Sequence, residues 1–249
     1  MERQPNTQYI LSLSYGKDSL ACLAAIEQLG WPLDRIVHSE VWATNTIPAD
    51  LPPMIEFKKK ADKIIKERYG IEVEHTRAKR TYEERFYTVR TEKAKKRPGM
   101  IYGWPFSVPG AWCNSDVKMP PLKAVEMNRT AFIACQIQKK SPLIAIGWDE
   151  AYCRKWCEEN DLLSPIYTTA TRGGCWFCHN QPIDQLRLLR KNYPEYWQLL
   201  LKWDSDSPVT FKADGHTVHD YDKRFEMEEL GLVPTDRKFR WKMLKEDYH

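Results

Sequence analysis

Ser14-Tyr15-Gly16-Lys17-Asp18-Ser19 puts two serine hydroxyls, a phenol, an ammonium, a carboxylate and a glycine within six positions. The chemistry those groups share is anion binding. The apolar stretch Tyr9-Ile10-Leu11-Ser12-Leu13 precedes them, and helical spacing (Leu20, Leu23, Ala24, Ile26) follows at once. A strand, a tight polar turn and a helix N-terminus are therefore expected in one short segment. Unpaired amides and the positive end of the helix dipole would face the turn, which makes it a phosphate seat. Gly16 would let backbone approach the anion, Lys17 would add charge, and Ser14 and Ser19 would add donors. Asp18, a hard oxygen ligand, is a candidate for Mg²⁺ or water. The competing reading is an ordinary N-cap by Asp18 or Ser19 beside a solvated lysine. The P-loop of kinases and GTPases reads differently, with a longer glycine-rich run ending in Gly-Lys-Ser/Thr.

Thiols form the second chemical group. Cys175-Trp176-Phe177-Cys178 follows Gly173-Gly174 and precedes His179, and this spacing lets two thiolates reach one metal ion. A thioredoxin-type redox pair is the alternative, disfavoured by the Trp-Phe interior and the missing helix context. Cys113, in an apparent loop, is the best third ligand, and His216 and His219, flanking a turn, read as ligands or as surface residues. Cys153 and Cys157 stand at i and i+4 on an expected helix and read as buried thiols, and Cys22 and Cys135 as core. Seven cysteines without a secretion signal favour metal ligation or buried thiols over a disulfide framework. A reducing, cytoplasmic setting is expected. No apolar run of about 18 residues suggests a membrane span, and Met1 to Asn6 lacks a signal h-region.

These groups need a scaffold. Strands are expected over 8–14, 36–41 and 71–76, alternating with helices over 18–30 and 51–69. That alternation predicts an α/β fold, a doubly wound and mostly parallel sheet with ligands beyond the carboxyl ends of its strands. A short helix at 81–87 leads to a basic run, Arg90 to Arg97, with five Lys or Arg. The run reads as a solvated helix face or as a lid or contact for an anionic polymer. Tyr102, Trp104 and Trp112 could stack on bases or pack their loop onto the core. Helical signals return at 120–128, strand-like ones at 131–136 and 143–147, and helices again at 149–160, 183–192, 195–202 and 220–230. The expected division is a nucleotide-binding domain over 1–180, including the cysteine loops, with a helical or irregular extension over 181–249. A net charge of +4 suits phosphate handling without requiring nucleic acid.

Three blocks in order carry a resemblance. The order Ser-x-Ser-x-Gly-Lys-Asp-Ser at 12–19 resembles the pyrophosphate-binding loop of the adenine nucleotide alpha-hydrolase (PP-loop) superfamily. Trp112-Cys113-Asn114-Ser115-Asp116-Val117-Lys118-Met119-Pro120-Pro121-Leu122 resembles the Cys-Cys/Thr-x-x-x-Lys-x-x-Pro-Leu block of the phosphoadenosine phosphosulfate (PAPS) reductase family. Asn160-Asp161-Leu162-Leu163-Ser164-Pro165-Ile166-Tyr167, with Gly174-Cys175-Trp176-Phe177-Cys178, resembles its Asn-Leu-Pro-x-x-Pro-Leu-Tyr block and Gly-Cys-x-x-Cys. The overall pattern is most similar to the reductase-like proteins of phages and mobile elements.

The resemblance implies an adenine nucleotide, either ATP with Mg²⁺ or adenylyl sulfate/PAPS. It would lie on Ser12, Ser14, Tyr15, Gly16, Lys17, Asp18 and Ser19, with Glu40, Val41 and Trp42 lining the adenine side. Lys118 and Arg77 would neutralise charge at the α-phosphate, and Lys17, Asp18 and Lys118 would form the catalytic set. It also implies a [4Fe–4S] cluster on Cys113, Cys175 and Cys178, with Trp112 where the family has a fourth cysteine. Either a three-cysteine cluster or a zinc ion completed by histidine, His179 among the candidates, is then expected. Two departures stand out. No cysteine follows Cys178 to act as the reductase nucleophile, and Phe132 to Lys140 lacks the family's Asp-Glu-x-x-Arg stretch. The expectation is an ATP pyrophosphatase-type enzyme that adenylylates an acceptor, a nucleic acid or small molecule, and passes it sulfur from a donor protein. The alternatives are an adenylyl-sulfate reductase with relocated chemistry and a nucleotide-binding regulatory module.

Overall fold

The computed structural model describes residues 1–105, 111–127, 138–168 and 174–244. By contact density they fall into two units. The first comprises Met1–Tyr82 with Cys113–Cys175, the second Glu83–Trp112 with Trp176–His249. Residues 83–112 thus group with the C-terminal part of the chain.

In the first unit β1 (Ile10–Leu13) feeds α1 (Lys17–Gln28), β2 (Arg35–Glu40) feeds α2 (Pro52–Tyr69), and β3 (Val73–Arg77) follows. The three strands are parallel in the order β1-β2-β3, with Leu13 opposite His38 and Glu40 opposite Arg77. Ile36, Val37, His38 and Ser39 are all buried, as a parallel strand covered on both faces requires. Pro52 and Pro53 start α2, where a missing amide costs nothing, and Gly70 ends it in the left-handed conformation, φ 68°. The chain is thus α/β with a parallel sheet. Among the described residues the strand order never reverses, so the sheet seen is sequentially wound.

Beyond the sheet, a π-helical turn (Asn114–Lys118) runs into α4 (Met119–Met127), then α5 (Pro142–Ile146), α6 (Glu150–Glu159) and a 3₁₀ turn (Pro165–Thr168). The strand expected over 143–147 is instead α5. Pro142 at its first turn and Gly147 just past its end, φ 75°, are helix punctuation, and Ile144 is 82% exposed, which a buried strand would not allow. Short apolar runs do not reveal their period. The strand expected over 131–136, Cys135 and most of the 132–140 segment lie outside the described residues. Leu20, Ala21, Leu23 and Ala24 of α1 pack in one core with Cys153, Trp156 and Cys157 of α6. Both thiols are buried as expected, and Cys157 Sγ donates to the carbonyl of Lys17 at 3.3 Å. Cys22, expected in the core, is only partly buried.

The second unit takes up α3 (Tyr82–Phe86) from Glu83 onward, α7 (Ile183–Asn192), α8 (Pro194–Asp206) and α9 (Val218–Glu229). Its core is aromatic. Trp104 packs against Phe86 at 5.2 Å and Phe211 at 4.8 Å, and Trp176 stacks on Trp203 at 5.8 Å. Trp104 donates to Asp204 at 3.0 Å and Trp112 to the carbonyl of Gly103 at 3.2 Å. Both tryptophans are buried, so they pack their loop and are not base-stacking surfaces. The basic run is not helical. An antiparallel bridge between Val89 and Ile101 and the bond from Arg90 N to Met100 O (2.8 Å) fold it into a looped-out turn.

Candidate phosphate-binding loop

The turn between β1 and α1 has the form that the residues dictate. Leu13 and Tyr15 are buried while Ser12 and Ser14 are exposed, the alternation of an emerging strand. The backbone reverses at Tyr15, φ 55°, a left-handed conformation unusual for an aromatic residue. Gly16 does not need its conformational freedom: φ −74° and ψ 152° suit any residue. An added Cβ would stand at ordinary contact distance, 3.4 Å, from the Tyr167 hydroxyl. Gly16 caps α1 with no side-chain hydrogen bond. Ser19 Oγ lies 3.0 Å from Ser14 Oγ and donates to the carbonyl of Gly16 at 2.9 Å. Two hydroxyls therefore converge at the N-terminus of α1, where the N-cap residue itself supplies no side-chain bond. The N-cap alternative through Asp18 or Ser19 does not hold.

Lys17 differs from expectation. It is buried, and its ammonium contacts Glu150 at 2.7 Å and Asp18 at 3.0 Å. Burial alone would lower it, but bonds to Glu150 and Asp18 more than offset that and hold the lysine above its ordinary range. Its charge is thus engaged with α6, and Asp18 shares in that pairing.

A polar network under the loop supports the strained Tyr15. Its hydroxyl donates to Asp62 and stands 3.2 Å from His75 Nε2. His75 Nδ1 lies 2.9 Å from Glu40, which also accepts from Trp42 Nε1 at 3.0 Å. Burial, with Asp62 beside it, pushes the Tyr15 hydroxyl far above its usual range, so it remains a donor. Burial opposes ionisation of Glu40, yet the bonds from Trp42 and His75 hold its carboxyl below the ordinary range. Arg77 lies over the Trp42 ring at 5.1 Å. The register sets Glu40 opposite Arg77, and Ser39 Oγ bonds the carbonyl of Lys118 at 2.7 Å. Glu40, Val41, Trp42, Arg77 and Lys118 thus share the carboxyl edge of the sheet with the loop.

Sequence reasoning missed four participants: Tyr167, Glu150, Asp62 and His75. Tyr167 accepts from Lys17 N at 3.3 Å. Only its place in the Pro165-Ile166-Tyr167 block hinted at it. The other three meet the loop through tertiary packing and carry no local signature.

The cysteine expectations fare differently. Cys113 lies in a helical turn, 112–113, ahead of the π-helical segment and is not in a loop. Trp176 and Phe177 are buried in the second unit's aromatic core. His179 is buried, His216 stacks on Trp241 at 3.7 Å, and His219 bonds Ser205 at 2.8 Å. Among the described residues no three His, Cys, Asp or Glu side chains gather as a metal-binding group. Gly173 lies outside the described residues. An open groove of about 490 Å³ lies away from the loop. Glu56, Glu158 and Asp161 outnumber Lys60 on its walls, a poor setting for a polyphosphate. No helix among the described residues is long and apolar enough to cross a membrane.

Comparison with protein-family models, curated proteins and solved structures found no match.

Proposed function

We propose that the chain binds an adenine nucleotide on the 14–19 loop and transfers the adenylyl group of ATP to an acceptor, as ATP pyrophosphatases of the PP-loop superfamily and their PAPS reductase-like relatives would. One observation carries the reading: Ser14 and Ser19 meet at the N-terminus of α1, whose N-cap residue makes no side-chain bond, on the carboxyl edge of a parallel sheet. Backbone amides, hydroxyls and the helix dipole all favour a phosphate there. Glu40 and Trp42 would bound the base, and Arg77 and Lys118 would stabilise charge at the α-phosphate. An acceptor oxygen attacks the α-phosphorus, the α–β bridging bond breaks, and its electron pair leaves with pyrophosphate. A doubly wound sheet belongs to this proposal, because it would set a ligand crevice where the strand order reverses.

Delivery of sulfur to the adenylylated acceptor rests on the cysteine spacing alone. A nucleotide-binding module without transfer is the second reading, favoured by the engagement of Lys17 with Glu150.

Calorimetric titration with Mg-ATP tests binding. Ser14→Ala/Ser19→Ala removes two donors to a charged ligand and is expected to weaken ATP binding about 100-fold. Absence of ATP binding by the wild-type chain would end the proposal. Binding without pyrophosphate release across RNA, DNA and small-molecule acceptors would leave the second reading.

A further inference from the structure

Lys17 is the cation of the 14–19 loop, and the protein already supplies an anion to it. The side chain is 8% exposed, and its ammonium contacts Glu150 at 2.7 Å and Asp18 at 3.0 Å, with the Tyr167 ring 5.8 Å away. Both carboxylates are open to solvent, Glu150 at 77% and Asp18 at 57%. The buried ammonium is thus reached from solvent at the place where these carboxylates stand. One positive and two negative charges leave the head of α1 net negative, and an incoming phosphate meets that charge first.

Asp18 sits beside Lys17 by chain position, whereas Glu150 arrives through packing. It is the first residue of α6, whose N-cap Asp149 accepts from Tyr152 N at 2.8 Å. On the same helix Cys153 and Cys157 pack in one core with Leu20, Ala21 and Ala24 of α1. These contacts hold the Glu150 backbone near Lys17 and leave its carboxylate unrestrained. Among the described residues that carboxylate has Lys17 as its one polar partner. An ion pair with so exposed a member contributes little and opens readily. A glutamate released to water also regains rotamer freedom.

We propose that Glu150 is an internal competitor for the phosphate position on Lys17, displaced when a diphosphate or triphosphate enters the loop, and so a residue that sets which ligands the loop accepts. The inference rests on the reading of the loop as a nucleotide site. A carboxylate and a phosphate use the same ammonium as acceptors of charge-assisted hydrogen bonds. A polyphosphate brings more charge to Lys17 than the resident carboxylate and replaces it. A singly charged anion gains no such advantage, and a ligand without phosphate leaves the pair intact. Displacement needs rotation of one side chain and no movement of α6.

Calorimetric titration of the full chain with Mg-ATP, inorganic pyrophosphate and adenosine tests this, with wild type compared with Glu150→Gln and Glu150→Ala. Mg-ATP and pyrophosphate are expected to bind both variants about three- to tenfold more tightly, because the competing pair and the like-charge repulsion are both removed. Adenosine is expected to behave alike with all three chains. A gain of affinity cannot come from damage to the fold, and Glu150 buries no core contact. Unchanged or weaker binding of Mg-ATP and pyrophosphate by the variants would overturn the role of Glu150 while wild-type ATP binding still supported the nucleotide reading. Equal tightening of adenosine would also overturn it, since the effect would not pass through phosphate. Tighter pyrophosphate binding with no ATP binding by any chain would keep the competitor and end the adenylyl reading. Binding of neither ligand by any chain would end both.

Discussion

Lowering the pH from about 6.5 to 4.5 is expected to cost the fold about 2 to 3 kcal/mol through His38 alone. The residue is 5% exposed on β2. Its Nδ1 lies 2.8 Å from the carbonyl of Leu13, and its Nε2 lies 2.8 Å from the ammonium of Lys58. A carbonyl only accepts and an ammonium only donates, so the ring is neutral with its proton on Nδ1. Burial, with Lys58 next, pushes it from 6.5 down to about 3. Between those values the unfolded chain binds a proton that the folded chain refuses, so stability falls as pH falls. The contribution is fully present above about 6.5 and is lost toward 3. Urea unfolding at a series of pH values measures it. His38→Asn keeps a donor for Leu13 but does not titrate, and its stability is expected to lose most of that pH slope. An unchanged slope would show that His38 is not the titrating group.

Gly103→Ala is expected to destabilise the second unit by about 2 to 5 kcal/mol, the sum of left-handed strain and overpacking. Gly103 has φ 63°, and an added Cβ would stand 2.5 Å from Ser207 Oγ and 2.8 Å from Pro208 Cδ. The collision falls at a crossing point, since Gly103 N bonds Phe86 O and Ser207 Oγ accepts from Trp104 N. Gly99→Ala is the control. It shares a left-handed φ of 71° but meets only Glu92 Oε1 at 3.3 Å, so about 1 to 2 kcal/mol is expected. Tryptophan fluorescence during urea unfolding reads both, because Trp104 and Trp203 lie in this core. Equal losses in the two variants would show that the contact with Ser207 and Pro208 does not constrain the turn.

Local signals carried much of the fold. β1, α1, β2, α2 and β3 follow from apolar runs, helical spacing, Pro52-Pro53 and Gly70, because strand and helix periods are written in neighbouring residues. The 143–147 stretch misled for the same reason, being too short to show a period. The turn between β1 and α1 was legible in its residue types, but the conformations within it were not. Tyr15, not Gly16, takes the left-handed conformation, since burying its ring and bonding Asp62 offset the strain.

Chain order alone settled the alternation of strands and helices, and with it the convergence of Ser14 and Ser19 at the head of α1. Those features need only residues close in sequence. Folding in three dimensions settled which charges meet: Lys17 with Glu150, His38 with Lys58, His75 between Glu40 and Asp62, and Arg90 with the Tyr102 ring. Electrostatic and hydrogen-bond energies depend on distance and burial, and neither is set until segments far apart in the chain have packed.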